Sequence, residues 1–206
     1  MLKSLTTIFN NPLPGRDIQY KMAPDDRDDL LNKYSIDKDT RKSAVILLIY
    51  KKQNNYYSVL IKRPEYNGPH SGQISFPGGK FEKTKDLSLQ DTAIRETHEE
   101  IGIKIDVNNI IGELTPLFIP LSNIMVYPYV AFLEKKISFT ADKTEVKKII
   151  EYKLSDLFVP EIKKIEIKNN VKIPYFFINN QKVWGATAMI LNEFIYLIKH
   201  NNEHKN

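Results

Sequence analysis

Three glutamates and one arginine lie close together near the middle of the chain, in the stretch IRETHEEIGI from Ile94 to Ile103. In a helix, Glu96, Glu99 and Glu100 have the spacing i, i+3 and i+4, where like charges repel by about 0.2–0.5 kcal/mol per pair. They would also lie in the last turns, where the helix dipole disfavours anions by roughly 0.3–1 kcal/mol each. A locally unfavourable arrangement of this kind is expected at a functional site.

The chemistry that suits this cluster is binding of a divalent cation. Carboxylate oxygens at this spacing, in a chain without cysteine, suit Mg²⁺ or Mn²⁺ rather than zinc. On a helical wheel the glutamates occupy an arc of about 100° beside an apolar arc of roughly 140°. The apolar arc contains Leu89, Ala93, Ile94 and Ile101. The glutamates are therefore predicted to be half exposed, and the alternative is a solvated charged face.

The elements that position this cluster can be predicted from patterning. The helix should run roughly from Ser88 to Ile101, with Ser88 as N-cap and Gly102 at C′. The run SAVILLIY predicts a buried strand that forms a hairpin with YYSVLIKR, and QISFPGG predicts a short strand. Further strands are expected around residues 110–133, a hairpin from IKKIEIK and VKIPYFFI, and a C-terminal helix in ATAMILNEFIYLIK. The segment KTEVKKIIEYKLSDLF begins with a helical pattern. Strands with few, widely spaced helices predict an α/β fold with a mixed sheet.

Composition limits the classes of partner. A chain of 206 residues with 42% hydrophobic residues can bury one core, and we expect an N-terminal extension (1–40) packed on a main domain (41–200) and a solvated tail (201–206). The net charge of +5 is compatible with an anionic ligand. No clustered basic helix indicates nucleic-acid binding, and no apolar run is long enough for a membrane span. We expect a cytoplasmic protein, whose first 35 residues cover the sheet or contribute to a homodimer contact.

The segment from Gly78 to Ile103 resembles the Nudix box, Gx5Ex7REUxEExGU with U aliphatic. The second half of the box is in register, although Thr97 departs from the aliphatic preference. The first half contains an extra residue, because eight residues rather than seven separate Asp86 from Arg95. The expected glutamate position is Lys85. Whether Asp86 or Glu82 takes the first acidic role is therefore left open.

The upstream residues are similar to the coenzyme A pyrophosphatase branch of this family. Matching positions are Arg63, His70, Gly72, Gln73, Phe76, Pro77, Gly78, Gly79, Glu82, Asp86, Thr92 and Ala93, and the resemblance spans roughly residues 43–198. It implies an α/β/α sandwich with a mixed sheet. It also implies Mg²⁺-dependent cleavage of coenzyme A or acyl-coenzyme A, a small nucleotide derivative, to 3′,5′-ADP and 4′-phosphopantetheine.

The residues and the resemblance together give a set of expected roles. Glu96, Glu100 and Glu99 are expected to bind the metal, and Arg95 to orient a glutamate. The general base is Glu99 or Glu145, although Glu145 could instead be an acid at a helix N-terminus. The expected substrate-binding residues are Arg63, His70, Gln73, Gly78 and Gly79.

Several alternatives stay open at this point. His70 could be a turn residue and Arg63 could cap a strand end. Trp184 is expected in the core rather than stacked on adenine, and His98 at the surface. The substrate could be ADP-ribose or another nucleoside diphosphate derivative. A non-catalytic Nudix-fold regulatory module is a further alternative, but it should have lost the RExxEE residues, which are intact here.

Overall fold

A mixed eight-stranded sheet forms the centre of the structure. The structure is a computed structural model, and it describes residues 2–68, 70–157, 162–166 and 171–203. The strands of this sheet are β1 (Arg41–Lys52), β2 (Asn55–Lys62), β3 (Ile74–Ser75), β4 (Gly78–Lys80), β5 (Ile110–Glu113), β6 (Leu117–Ile119), β7 (Ile124–Leu133) and β8 (Lys148–Lys153). Strand β1 lies parallel to β7 and antiparallel to β2 and β4. Strand β8 pairs antiparallel with β2 on the other side.

Strand β1 is buried on both faces, as its continuous apolar run predicts. Ala44, Ile46 and Leu48 pack into the core beneath the helix α4 (Leu89–Ile101). Leu47 and Ile49 face the opposite side, where they pack with the helix α5 (Gly185–Glu203). The predicted α/β fold, an α/β/α sandwich around a mixed sheet, is confirmed.

A separate antiparallel sheet is formed by β9 (Ile162–Glu166), β10 (Lys172–Ile178) and β11 (Gln181–Trp184). The pairing of β9 with β10 confirms the predicted hairpin. Trp184 is half-buried at the end of β11 rather than enclosed in the core. Helix α5 continues to Glu203, into the predicted tail, and residues 204–206 of that tail lie outside the described residues.

The prediction of a helix beginning near Lys143 is wrong. The chain makes a turn there and then forms β8. Apolar residues at Val146, Ile149 and Ile150 fit a helical period, but Ile150 and Tyr152 also fit the period of two of a strand. Pairing with β2 buries both of these side chains, so long-range pairing decided between two local patterns.

Three short helices precede the sheet: α1 (Leu2–Thr7), α2 (Arg16–Gln19) and α3 (Arg27–Lys33). Hydrogen bonds to Glu193 connect the segment around α2 to α5. The fully buried Glu193 carboxylate accepts hydrogen bonds from Gly15 N (3.2 Å) and Gln19 Nε2 (2.9 Å). It also accepts from Thr115 N (3.1 Å) and Thr115 Oγ1 (2.6 Å). Glu193 therefore connects three separate parts of the chain. Among the described residues, no helix is long and apolar enough to cross a membrane.

We expect Glu193→Ala to lower the free energy of unfolding by about 3 kcal/mol or more, because each buried donor left without a partner costs about 1–3 kcal/mol. Urea unfolding at pH 7 measures this change. The exposed Glu134 provides the control, and Glu134→Ala should change stability by less than about 0.5 kcal/mol. Equal stability of the two variants would contradict the connecting role of Glu193.

Candidate active site

Helix α4 has the ends that the sequence predicts. Ser88 Oγ accepts a hydrogen bond from Asp91 N at 3.1 Å, which satisfies one free N–H of the first turn. Gly102 ends the helix in the left-handed conformation with φ 73°. Thr97, at the aliphatic position of the box, is buried and its hydroxyl donates to Ala93 O at 2.7 Å. His98 is exposed, as predicted.

Glu100 is buried, with only 1% of its surface exposed, so the prediction of a half-exposed cluster is wrong for this residue. Its Oε2 accepts a hydrogen bond from Gly78 N at 2.8 Å, and its Oε1 lies 3.8 Å from Arg63 Nη1. Burial raises the pKa of Glu100 to about 8, and the charges of Glu96 and Glu145 add to this rise. The Gly78 N–H and the Arg63 charge oppose it without cancelling it.

The two glycines of β4 allow this close approach of α4. A Cβ atom at Gly79 would lie 2.2 Å from Glu96 Oε2, which no side chain could tolerate without displacing the carboxylate. Gly78 has φ +146°, and a Cβ atom there would lie 2.3 Å from the carbonyl oxygen of Ala44. The half-buried Glu96 and the buried Glu100 therefore lie directly against the backbone of β4.

Arg95 joins the acidic residues of the loop and the helix. Its Nε and Nη2 donate to the two carboxylate oxygens of Asp86, at 2.7 Å and 2.9 Å. Its Nη1 donates to Glu96 Oε1 at 2.8 Å and to Glu99 Oε2 at 2.9 Å. Planar, bidentate pairing of this kind fixes the guanidinium strongly. Arg95 thus has a fixed position and directs two helix carboxylates.

The structure identifies Asp86 rather than Glu82 as the acid that pairs with Arg95. Asp86 is buried and also accepts hydrogen bonds from Glu82 N and Thr92 Oγ1, both at 2.9 Å. The bonds from Arg95 lower the pKa of Asp86 to about 2. The Glu82 side chain pairs with Lys85 at the surface instead. Backbone bonds from Lys85 N and Asp86 N to Glu82 O close a turn that accommodates the extra residue.

Three of the expected substrate-binding residues form one connected group beside Glu100. Arg63 N donates to Gln73 O at 2.9 Å, and His70 Nδ1 lies 3.0 Å from Gln73 Oε1. His70 has the left-handed value φ 63°, a strained conformation for a residue with a side chain. The buried Arg63 Nε has no hydrogen-bond partner among the described residues.

Glu145 lies in the turn before β8, so the alternative of an acid at a helix N-terminus is wrong. Its side chain is exposed, and its charge acts on both Glu96 and Glu100. Burial is the largest cause of the raised pKa of Glu96, and the charges of Glu99 and Glu145 contribute further. The four acidic side chains therefore share one electrostatic environment.

The donor chemistry of this environment fits a hard divalent cation. Glu96 and Glu100 both have raised pKa values, mainly through burial, so the donors and cations around them offset only part of the cost of ionising them. In the described part of the chain, no three acidic or histidine side chains already converge as a metal site. Glu96 and Glu99 are directed at Arg95 instead, but the Glu99 side chain is 51% exposed and has room to turn.

Comparisons with known proteins agree with this geometry. Residues 40–171 match the family model of the NUDIX domain. A protein named Uncharacterized Nudix hydrolase NudL from Enterobacter sp. (strain 638) is 31% identical over 165 residues, which cover 78% of this chain and 85% of that protein. The NudL protein of Yersinia pestis (strain Pestoides F) is 33% identical over 137 residues, covering 65% of this chain and 68% of that protein.

Two solved structures share the fold. A MutT/nudix family protein from Enterococcus faecalis superposes with a TM-score of 0.54 at 17% identity, covering 76% of this chain and 61% of that chain. This chain thus spans less than two thirds of that protein. The MutT protein from Methanosarcina mazei Go1 gives a TM-score of 0.51 at 18% identity, covering 84% and 100% of the two chains.

The pairing of Asp86 with Arg95 predicts a pH-dependent loss of stability in Asp86→Asn. The folded-state pKa of about 2 lies below the unfolded value of about 3.9, so ionised Asp86 stabilises the fold above pH 4. Urea unfolding should show Asp86→Asn less stable by about 2–3 kcal/mol at pH 7, and this difference should fall to roughly half at pH 3.

The matched control for this prediction is Glu82→Gln. Because Glu82 is at the surface and pairs with Lys85, its substitution should cost less than about 1 kcal/mol at pH 7. A larger loss in Glu82→Gln than in Asp86→Asn would mean that Glu82 takes the first acidic role.

Proposed function

Because the chain belongs to the Nudix hydrolase family, we propose that it hydrolyses coenzyme A or an acyl-coenzyme A with Mg²⁺ or Mn²⁺. The products would be 3′,5′-ADP and 4′-phosphopantetheine or its acyl derivative. The observation that carries this proposal is the pair of charge-crowded carboxylates, the half-buried Glu96 and the buried Glu100, against the glycine backbone of β4. A cation that neutralised them would also attract a diphosphate.

Each acidic residue has a role that its surroundings support. Glu96 and Glu100 would hold the cation with Glu99, and Arg95 keeps two of these carboxylates in place. Mg²⁺ when bound neutralises charge on phosphoryl oxygens and lowers the pKa of bound water. Arg63 is 31% exposed at the edge of the cluster and can pair with a phosphate through its fork of N–H groups.

The reaction needs a base and a defined bond cleavage. The oxygen of a water molecule attacks one phosphorus of the diphosphate, and the bond from that phosphorus to the bridging oxygen breaks. A carboxylate, Glu99 or Glu145, accepts the proton released by the water. The leaving phosphate departs with the bridging oxygen and its electron pair.

Coenzyme A is favoured over other nucleotide derivatives because of the residues upstream of the box. Arg63, His70 and Gln73 match that branch in sequence, and in space they form one hydrogen-bonded group next to Glu100. Residues that hydrogen bonds hold together in this way can present a fixed set of contacts, which suits recognition of one substrate class. His70 in its strained conformation is bonded to Gln73, which also suits a binding role rather than that of a simple turn residue.

The proposal is tested by incubating the protein and Mg²⁺ with coenzyme A, an acyl-coenzyme A, ADP-ribose and dNTPs, followed by chromatographic identification of the products. We expect 3′,5′-ADP from both coenzyme A substrates and none after addition of EDTA. Cleavage of ADP-ribose with coenzyme A left intact would refute the coenzyme A proposal. Hydrolysis that persists in EDTA would refute the metal requirement.

Substitution of Glu100 should separate activity from stability. Glu100→Gln retains the size of the side chain and an acceptor for Gly78 N–H but removes the charge, so turnover should fall by about 100-fold or more. In metal-free buffer the variant should unfold at the same or a higher temperature, because burial of a neutral side chain costs less desolvation free energy than burial of a charged one. The exposed Glu134→Gln is the control, with both properties unchanged. Near-normal turnover of Glu100→Gln would mean that Glu100 is not a metal ligand.

A further inference from the structure

The turn that contains Glu145 is attached to the end of α4 by backbone hydrogen bonds. Thr140 N donates to Ile101 O and Asp142 N donates to Glu100 O, both at 3.0 Å. These bonds satisfy carbonyl groups in the last turn of the helix, which have no partner within it. The position of the turn is therefore set by the same residues that present the buried carboxylate.

Asp142 also organises the turn through its side chain. Its Oδ1 accepts hydrogen bonds from Thr144 N and Thr144 Oγ1, both at 2.7 Å. Its backbone carbonyl accepts from Glu145 N at 3.2 Å and from Val146 N at 2.8 Å. Asp142 therefore holds Thr144 through its side chain and Glu145 and Val146 through its backbone carbonyl.

The residues after Glu145 are fixed as well. Val146 is buried in the core beneath α4, and Lys147 N donates to Lys62 O at 2.9 Å, next to the start of β8. Glu145 thus lies between a buried anchor on one side and the Asp142 turn on the other. Its backbone has little freedom, although its side chain is exposed.

We propose that Asp142 is a positioning residue that holds Glu145 against the end of α4 that carries Glu100, and that it contributes to turnover only through Glu145. This inference rests on the proposed hydrolysis, in which Glu145 is a candidate base. Asp142 itself is exposed, and its carboxylate is engaged by Thr144. Displacement of a reacting group by about 1 Å can reduce a rate by two orders of magnitude, so loss of this turn should be measurable in turnover.

The test compares Asp142→Ala, Asp142→Asn and a control turn. Asp37, in the turn before β1, is also exposed and its Oδ1 accepts from Asp39 N (2.9 Å) and Thr40 Oγ1 (3.1 Å), so Asp37→Ala removes the same kind of bonds away from the site. With coenzyme A as substrate, Asp142→Ala should lower kcat by about tenfold or more with KM within about twofold. Asp142→Asn retains the Oδ1 acceptor and should stay within about threefold of the wild type, as should Asp37→Ala.

The decisive measurement is made in a Glu145→Gln background. If Asp142 acts through Glu145, adding Asp142→Ala to Glu145→Gln should change kcat by less than about twofold, since the two residues then act as one unit. An undiminished loss in this background would overturn the proposal, as would a kcat for Asp142→Ala equal to that of the wild type. A comparable loss in Asp37→Ala would overturn it too.

A second readout does not depend on activity. Amide hydrogen exchange of Thr144 should become faster in Asp142→Ala but not in Asp37→Ala, because Thr144 N donates to Asp142 Oδ1, the acceptor that Asp142→Ala removes. Unchanged exchange together with normal turnover would overturn the positioning role. Wild-type protein that hydrolyses no pyrophosphate would instead show that the proposed function has failed, and with it the contribution of Asp142 to turnover.

Discussion

Burial of Glu100 against the backbone of β4 is the constraint on which the site depends. A buried carboxylate with other acids nearby is costly, because desolvation and like charges both oppose ionisation. This cost arises because α4 lies close to β4. The close approach is possible only because Gly78 and Gly79 have no side chains. The Gly78 N–H and the Arg63 guanidinium offset only part of it, since the pKa of Glu100 stays near 8.

Arg95 reduces the repulsion among the acidic side chains, because it is hydrogen-bonded to Asp86, Glu96 and Glu99. It forms its strongest contacts with Asp86, which comes from the loop rather than the helix, and its remaining N–H groups reach Glu96 and Glu99. The loop contains an extra residue compared with the Nudix box, and a short turn at Glu82 accommodates the added length. Asp86 therefore reaches Arg95 although eight residues rather than seven separate the two in sequence.

Local sequence patterns correctly predicted those helices and strands whose ends and burial depend on neighbouring residues in the sequence. Ser88 and Gly102 marked the ends of α4, and the apolar run of β1 indicated a strand buried on both faces. The pattern around Val146 failed, because helical and strand periods both fit it and only pairing with β2 distinguishes them. The burial of Glu100 was also missed, since it follows from two glycines on a strand distant in sequence. The choice between Asp86 and Glu82 likewise needed the position of the Arg95 side chain.

In the described part of the chain, each face of the sheet buries one glutamate, and comparison of the two shows why only Glu100 is a candidate ligand for a cation. Glu193, a residue of α5, accepts hydrogen bonds from four donors, Gly15 N, Gln19 Nε2, Thr115 N and Thr115 Oγ1. Its lone pairs are used by the protein itself, so its role is to connect chain segments. Glu100, a residue of α4, accepts a single hydrogen bond, from Gly78 N, among the described residues, and the charges of Glu96 and Glu145 raise its pKa. A carboxylate with unused lone pairs has capacity for a cation, whereas a fully bonded carboxylate does not. Burial alone therefore does not distinguish a structural acid from a functional one, and the supply of donors around it does.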